Sequence, residues 1–370
     1  MRLRRNSKRV LTVISAIIVS TTLNHDIDIV INGYLRSGSS FLGELLGYRD
    51  DTFYWYEPLW NFNSGVFYWG PDRVCPHGPH EELCGESEAL RVKDRQCVAR
   101  NMQDVLINIY MCNFSSLGPA VAETMTPEYS GGSWDPFVAC RENTESTVSE
   151  CLLELEKDCI ASKHLATKVV RLTLDSYARV LEHLPNLRLV HLFRDPRAVI
   201  NSRQTTTWYH LHNEKSTVQD ARELCNRMLY DIEYSANLTE TFPDRFLTVM
   251  FEDLRENLPE KSKILYQYFG LSTDGLEDKL ASMSPIKQNE KTIMAEDGDY
   301  SEWWRKRLPF STVELVQDAC ADVMDVLGYR HFSSESEQLN MDISAFKFSA
   351  ELTLQMETVL NTFRGKDPAT

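Results

Sequence analysis

Short β-branched runs alternate with helical-period stretches along most of this chain. Asp28-Ile29-Val30-Ile31 reads as a strand, and Phe41–Leu46 as the opening turns of a helix. Thr167–Leu172 reads as a buried strand ending in charge, and Ser176–His183 as a helix closed by Pro185. Leu187–Phe193 is the strongest strand signal, and Ala198–Arg203 then begins a helix with Pro196 near its start. Ser216–Ser235 predicts a long helix and Arg245–Phe251 a strand. Pro259–Phe269 predicts an amphipathic helix, and Val313–Leu327 one helix ended by Gly328. This alternation predicts an α/β fold, a doubly wound central parallel sheet flanked by helices. Residues 61–160 are irregular, with Pro, Gly and Cys throughout and helices at Val98–Cys112 and Ser146–Ile160. Phe53–Trp60 is dense in aromatics, and Pro58 pushes Glu57 into an extended or turning segment. Residues 336–370 read as a peripheral tail with one candidate helix, Ala345–Phe363.

Two strand–turn–helix units carry the polar residues that stand out against this pattern. The first is Gly33-Tyr34-Leu35-Arg36-Ser37-Gly38-Ser39-Ser40-Phe41-Leu42. Its glycines and the unpaired N–H groups of the following helix suit a phosphate cradle, or else a plain turn whose glycines serve geometry alone. The spacing approaches that of the nucleotide-binding P-loop, but Ser39 stands where that loop has Lys, and the cation has moved back to Arg36. Ordinary ATP or GTP chemistry is thereby disfavoured. The second unit puts Arg194 at a strand end and Ser202 two turns into the next helix, where guanidinium and hydroxyl can grip one phosphate. Open parallel sheets bind ligands at such strand ends. A nucleotide with anionic groups at both ends needs two cradles, and 3′-phosphoadenosine 5′-phosphosulfate is such a molecule. Glu57, desolvated among aromatics, suits a general base, the alternative being a packing segment whose Glu caps a turn. His164 and His191 are its rivals.

Composition narrows the partners. The chain is 42% hydrophobic and 25% charged, as folded globular proteins are, and its net charge of −15 argues against general nucleic-acid binding. An acidic protein that binds an anion must concentrate its cations locally. Lys168, Arg171 and Arg305 are candidates, against a reading as surface ion pairs. Arg2, Arg4, Arg5, Lys8 and Arg9 precede the uncharged run 10–23, which is shorter than the ~17–25 residues that span a bilayer comfortably. Residues 1–24 read as a cytosolic basic tail and short signal-anchor, with a cleaved signal peptide as the alternative. Nine cysteines, most of them between Cys75 and Cys159, predict an oxidising compartment and a disulfide-stapled insertion, with one thiol left over. No CxxC pair is present, so no metal site is expected. The sequons at Asn113 and Asn237 also point to the secretory lumen.

Arg36-Ser37-Gly38-Ser39-Ser40-Phe41-Leu42 resembles the 5′-phosphosulfate loop of Golgi carbohydrate sulfotransferases. Arg194-Asp195-Pro196-Arg197-Ala198-Val199, continued to Ser202-Arg203, resembles their 3′-phosphate motif. The likeness is strongest to the galactose, N-acetylglucosamine and N-acetylgalactosamine 6-O-sulfotransferases. Glu57-Pro58-Leu59, Lys168–Leu172, Phe251–Leu254, Trp304–Leu308 and Gly328-Tyr329 match further blocks. The resemblance implies a P-loop-like sulfotransferase fold over residues 25–335, luminal in the Golgi, on a single-pass type II anchor, with secretion as the alternative. It implies metal-free sulfuryl transfer from 3′-phosphoadenosine 5′-phosphosulfate to a sugar hydroxyl of a glycan or proteoglycan, and it allows a homodimer. Arg36 and the loop through Ser37, Gly38, Ser39, Ser40, Phe41 and Leu42 would hold the phosphosulfate. Arg194 and Ser202 would hold the 3′-phosphate, and Glu57 would be the base. Lys168, Arg171 and Arg305 would lie toward the acceptor, and Trp303 and Trp304 would stack on a ring or simply pack. Acceptor choice would lie in 61–160 and in the loop near Trp208–Asn213. A P-loop-type sugar or nucleotide kinase and a lectin-like binder on the same fold are the competing readings.

Overall fold

The computed structural model describes residues 25–59, 92–117, 129–143, 145–206, 216–283 and 300–346. Five parallel strands form one sheet in the order β2-β3-β1-β4-β5. They are β1 Ile27–Gly33, β2 Thr52–Tyr56, β3 His164–Val169, β4 Leu187–Phe193 and β5 Phe246–Met250. Every residue of β1 is buried, as expected of a central parallel strand covered on both faces. Side chains alternate between two cores. Ile27, Ile29 and Ile31 pack with Val190, Leu192 and the helix α1, Ser39–Gly47. Val30 packs the other way, with Leu165, Leu189 and the helices α2 Val92–Tyr110, α4 Val148–Ala161 and α5 Tyr177–His183. Between α2 and α4 runs the short helix α3, Asp135–Glu142.

Local chemistry fixes where the helices begin. Thr147 and Glu150 form a capping box at α4, and Ser216 and Gln219 form another at α7, Thr217–Thr241. Helix α6, Pro196–Gln204, starts on Pro196 with the Asp195 side chain accepting from the Arg197 N–H at 2.8 Å. The remaining helices are α8 Phe251–Glu256, α9 Leu258–Tyr268, α10 Leu276–Met283, α11 Trp304–Arg307, α12 Phe310–Ala319, α13 Ala321–Leu327 and α14 Glu335–Leu339. Among the described residues no helix is long and apolar enough to cross a membrane. The basic tail and the segment 10–23 lie outside them.

The aromatic segment after α1, expected to be extended or turning, is extended: it is the edge strand β2. Its outward Tyr54 and Tyr56 N–H groups donate to the side chains of Ser133 and Ser130, at 2.9 and 3.2 Å, which caps an edge that would otherwise offer unpaired donors. Its inward Phe53 and Trp55 pack on Phe114 and Trp134, the two indoles 4.6 Å apart. Two other expectations need revision. The single helix expected over Val313–Leu327 is two, broken at Cys320 (φ −121°, ψ 14°), where a disulfide ties it to Cys225 of α7. The tail expected to be peripheral from residue 336 is held against the body as far as Ala345, by bonds that Arg305 donates to its carbonyls and one that the Ala345 N–H donates to Glu302. The candidate helix beyond it lies outside the described residues. Disulfides Cys112–Cys159 and Cys140–Cys151 staple the irregular stretch, while Cys75, Cys84 and the Cys97 side chain fall outside.

Trp134→Ala is expected to cost about 3–5 kcal/mol of stability, as large-to-small changes at buried aromatics do. Ser133→Ala, which strands one edge N–H, is expected to cost about 1–3 kcal/mol. Urea unfolding followed by far-UV circular dichroism checks both.

Candidate active site

The cradle begins where β1 ends. The Ser37 N–H donates to the Tyr34 carbonyl at 3.0 Å, and the Ser37 hydroxyl accepts from the Tyr34 N–H at 3.1 Å. Ser37 is fully buried, so its hydroxyl braces the turn. Arg36 (φ 72°) and Gly38 (φ 92°) are left-handed. A Cβ on Gly38 would stand 2.4 Å from the Phe251 ring, so glycine is required there on two counts. Helix α1 starts immediately afterwards, and the first N–H groups of a helix have no partner inside it. Ser40, at its start, is exposed, and its hydroxyl lies 3.4 Å from the Tyr56 hydroxyl.

The second unit is brought alongside by the pairing of β1 with β4, which sets Gly33 opposite Leu192. The Arg36 Nε donates to the Ser202 hydroxyl at 2.9 Å, and an Arg194 Nη donates to the Arg36 carbonyl at 3.2 Å. Ser202 accepts in this bond, so its own hydrogen stays available to a ligand. The Arg194 guanidinium lies over the Phe251 ring, 4.4 Å from its centre. Burial lowers the pKa of both guanidinium groups, and their mutual neighbourhood lowers that of Arg194 further, while Glu252 opposes the shift. Concentrated, desolvated positive charge of this kind attracts an anion strongly. Arg203 braces the cradle from behind, donating to the Leu35 carbonyl at 3.2 Å while paired with Asp220 of α7.

Glu57 follows β2, with its N–H donating to the Lys168 carbonyl at 2.9 Å and its backbone left-handed (φ 44°). Its Oε1 accepts from the Lys168 ammonium. Its Oε2 lies 3.8 Å from an Arg171 Nη and accepts no hydrogen bond among the described residues. The Lys168 ammonium also stands 4.4 Å above the Tyr56 ring, which links this cluster to Ser40 of the cradle.

Several candidates belong elsewhere. Arg305 is wholly buried and donates to the Gln338, Asn340 and Ile343 carbonyls while paired with Glu302. It staples the C-terminal segment and lends no charge to the cradle. Leu42 is a core side chain, while Phe41 meets Phe251 edge-on. Trp304 packs into the core with Phe332, and Trp303 lies under Arg307. His164 opens β3, at the opposite end of the strand from the cradle. His191 is held near a pKa of about 4 by burial. It is wedged between Asn32 and Tyr34 in a network that runs on through Asp231. The sulfurs beside His25 form the Cys112–Cys159 disulfide, so they offer no metal donors. Asn113 and Asn237 are both exposed. The loop near Trp208–Asn213 lies outside the described residues.

Two residues of the site had no role in the sequence reading. Glu252 accepts from the Asp195 N–H and from the Tyr329 hydroxyl, each at 2.9 Å. The hints were their places in two of the matching blocks, Phe251–Leu254 and Gly328-Tyr329, to which no role was attached.

A family model described as the sulfotransferase family matches residues 28–275. Carbohydrate sulfotransferase 1 of Danio rerio is 26% identical over 355 residues, covering 85% of this chain and 81% of its own. Carbohydrate sulfotransferase 4 of Mus musculus is 26% identical over 360 residues, covering 85% and 84%. Carbohydrate sulfotransferase 3 of Tetronarce californica is 26% identical over 324 residues, covering 80% and 70%.

Gly38→Ala is expected to lose about 1–3 kcal/mol of stability from the left-handed backbone and the clash with Phe251. Adding Phe251→Ala should recover only the steric part, after allowance for the cavity it leaves. Chemical denaturation of the single and double variants reads both contributions.

Proposed function

This chain belongs to the sulfotransferase family, enzymes that use a sulfate donor, and we propose that it transfers a sulfuryl group from 3′-phosphoadenosine 5′-phosphosulfate to a glycan. The acceptor would be the 6-hydroxyl of a galactose, N-acetylglucosamine or N-acetylgalactosamine, on a glycan or proteoglycan. The observation that carries the reading is the contact between the two anion-binding units, Arg36 with Ser202 and Arg194 with the Arg36 carbonyl. A ligand with anionic groups at both ends would engage both units at once. Relatives named carbohydrate sulfotransferases support the acceptor class. The disulfides and the exposed sequon asparagines support a luminal Golgi setting, with the N-terminal segment as its anchor.

In this reading the acceptor oxygen attacks sulfur as the bond from sulfur to the bridging phosphate oxygen breaks. Arg36 and the N–H groups at the start of α1 stabilise the charge that grows on the departing phosphate. Arg194 and Ser202 hold the 3′-phosphate and set the register. Glu57 takes the acceptor proton on Oε2, the oxygen that accepts no hydrogen bond among the described residues. Lys168 and Arg171 fix its carboxylate and add positive potential beside the cradle. No metal is assigned a part, because fixed guanidinium and N–H donors can supply the charge stabilisation.

Sulfur-labelled donor and a panel of desulfated glycans test the proposal directly. Transfer from ATP, or tight magnesium-dependent ATP binding, would overturn it. Arg36→Ala and Arg194→Ala are each expected to cut transfer at least about 100-fold, the size typical of losing a charge-stabilising donor. Glu57→Gln should lose turnover and keep donor binding. Equal loss of both would make Glu57 structural.

A further inference from the structure

Resting on the reading that Arg194 grips the donor's 3′-phosphate, we propose that Glu252 and Tyr329 are a positioning pair that makes this grip depend on a proton. Glu252 opens α8 at the end of β5, and its carboxylate faces the loop between β4 and α6. One oxygen holds the N–H of Asp195, the residue after Arg194, at 2.9 Å. The other accepts from the Tyr329 hydroxyl at 2.9 Å, just past the end of α13. The pair therefore ties the C-terminal helices to the backbone on which Arg194 is mounted. All three groups are buried: the Asp195 loop, the carboxyl and the phenol.

The surrounding charges are accounted for. The Asp195 carboxylate is occupied by Arg197 through Nε and Nη. Asp253, beside Glu252 on α8, is paired with Lys261 of α9. Glu302, on the turn before α11, is paired with Arg305. Tyr329 is pushed well above the ordinary phenol range by burial and by Glu252, so it stays protonated and donates. Arg194 is thus the cation whose field Glu252 chiefly modulates, with Arg36 beyond it.

Burial, reinforced by Asp195 and opposed by Arg194, holds the Glu252 carboxyl up to about 7. The ionised carboxylate offsets part of the Arg194 charge and repels a phosphate placed there. The protonated carboxyl does neither. Phosphate binding and Glu252 protonation therefore favour each other, and this linkage is reciprocal. Below the Glu252 midpoint the grip is at full strength, and it weakens as pH rises through that midpoint. The direction fits a mildly acidic compartment.

The test titrates adenosine 3′,5′-bisphosphate and adenosine 5′-monophosphate into the full chain by calorimetry, from about pH 5.5 to about pH 8. The readout is the ratio of the two affinities, which isolates the 3′-phosphate. Relative to the unaltered protein, Glu252→Gln is expected to match this ratio at the acid end. At the alkaline end it should exceed it by about 3–10-fold, the effect of up to one pKa unit of linkage. Tyr329→Phe removes a hydrogen bond that favours the carboxylate. It should move the midpoint of the pH profile upward, which provides a second reading if the glutamine variant fails to fold. A Glu252→Gln ratio that tracks the unaltered protein at every pH, or an unmoved midpoint in Tyr329→Phe, overturns the inference. Arg194→Ala separates the two levels. If it leaves the ratio unchanged, the 3′-phosphate assignment itself is wrong. If it collapses the ratio while Glu252→Gln leaves the pH profile intact, only the positioning role fails.

Discussion

The pairing of β1 with β4 is the constraint on which the rest of the molecule depends. Sequence neighbours of β1 run off toward β3 and β2, while β4 and β5 lie on its other side. The chain therefore changes direction across the sheet at β1, and at such switch points ligands bind at the carboxyl ends of the strands. Gly33 and Leu192 are register partners, so the turns that follow β1 and β4 start side by side. Two segments 158 residues apart at Arg36 and Arg194 meet because one ladder of hydrogen bonds leaves them no alternative. The contacts among Arg36, Ser202 and Arg194 refine a meeting that the backbone has already arranged.

The acidic net charge of the chain is compatible with the proposed anion site because its charges are segregated. Many buried arginines face carboxylates or carbonyls and are locally neutralised: Arg197 by Asp195, Arg203 by Asp220, Arg227 by Asp231, Arg305 by Glu302. Arg36 instead bonds a neutral hydroxyl and Arg194 a carbonyl, with the Glu252 carboxylate offsetting part of the Arg194 charge. On the other side of the cradle Lys168 and Arg171 both face the Glu57 carboxylate. Local field, rather than total charge, sets what such a site attracts.

Much of this was legible in sequence where periodicity and turn chemistry agreed. β1, β4 and the start of α6 fall within a residue or two of expectation, because β-branched runs, the Asp195 cap and Pro196 all point the same way. The cradle was legible for the same reason. β2 was harder: Thr52–Tyr56 is buried on both faces, so no alternation marks it as a strand. The break at Cys320 was invisible because apolar spacing carries on through it. Arg305 looked like Lys168 and Arg171, a cation that could add to the local positive potential. What separates them is the set of carbonyls from Gln338 to Ile343, which only tertiary structure brings to Arg305. Glu252 and Tyr329 could be noticed in the sequence, but their shared hydrogen bond spans 77 positions and leaves no local pattern.

The two serines that cap the edge of β2 have a consequence for how the chain must be made. Ser130 and Ser133 lie 74 and 79 positions after the N–H groups they satisfy. During synthesis β2 emerges long before its cover, and its β3 neighbour emerges later still. A strand rich in aromatics, with both edges open, therefore waits while the cysteine-rich stretch is extruded. That interval exposes the chain to misassociation, in the compartment where its disulfides are being formed. The second disulfide, Cys140–Cys151, ties α3, the helix just after the serines, to α4, so oxidation and cover of the sheet edge draw on one stretch of chain.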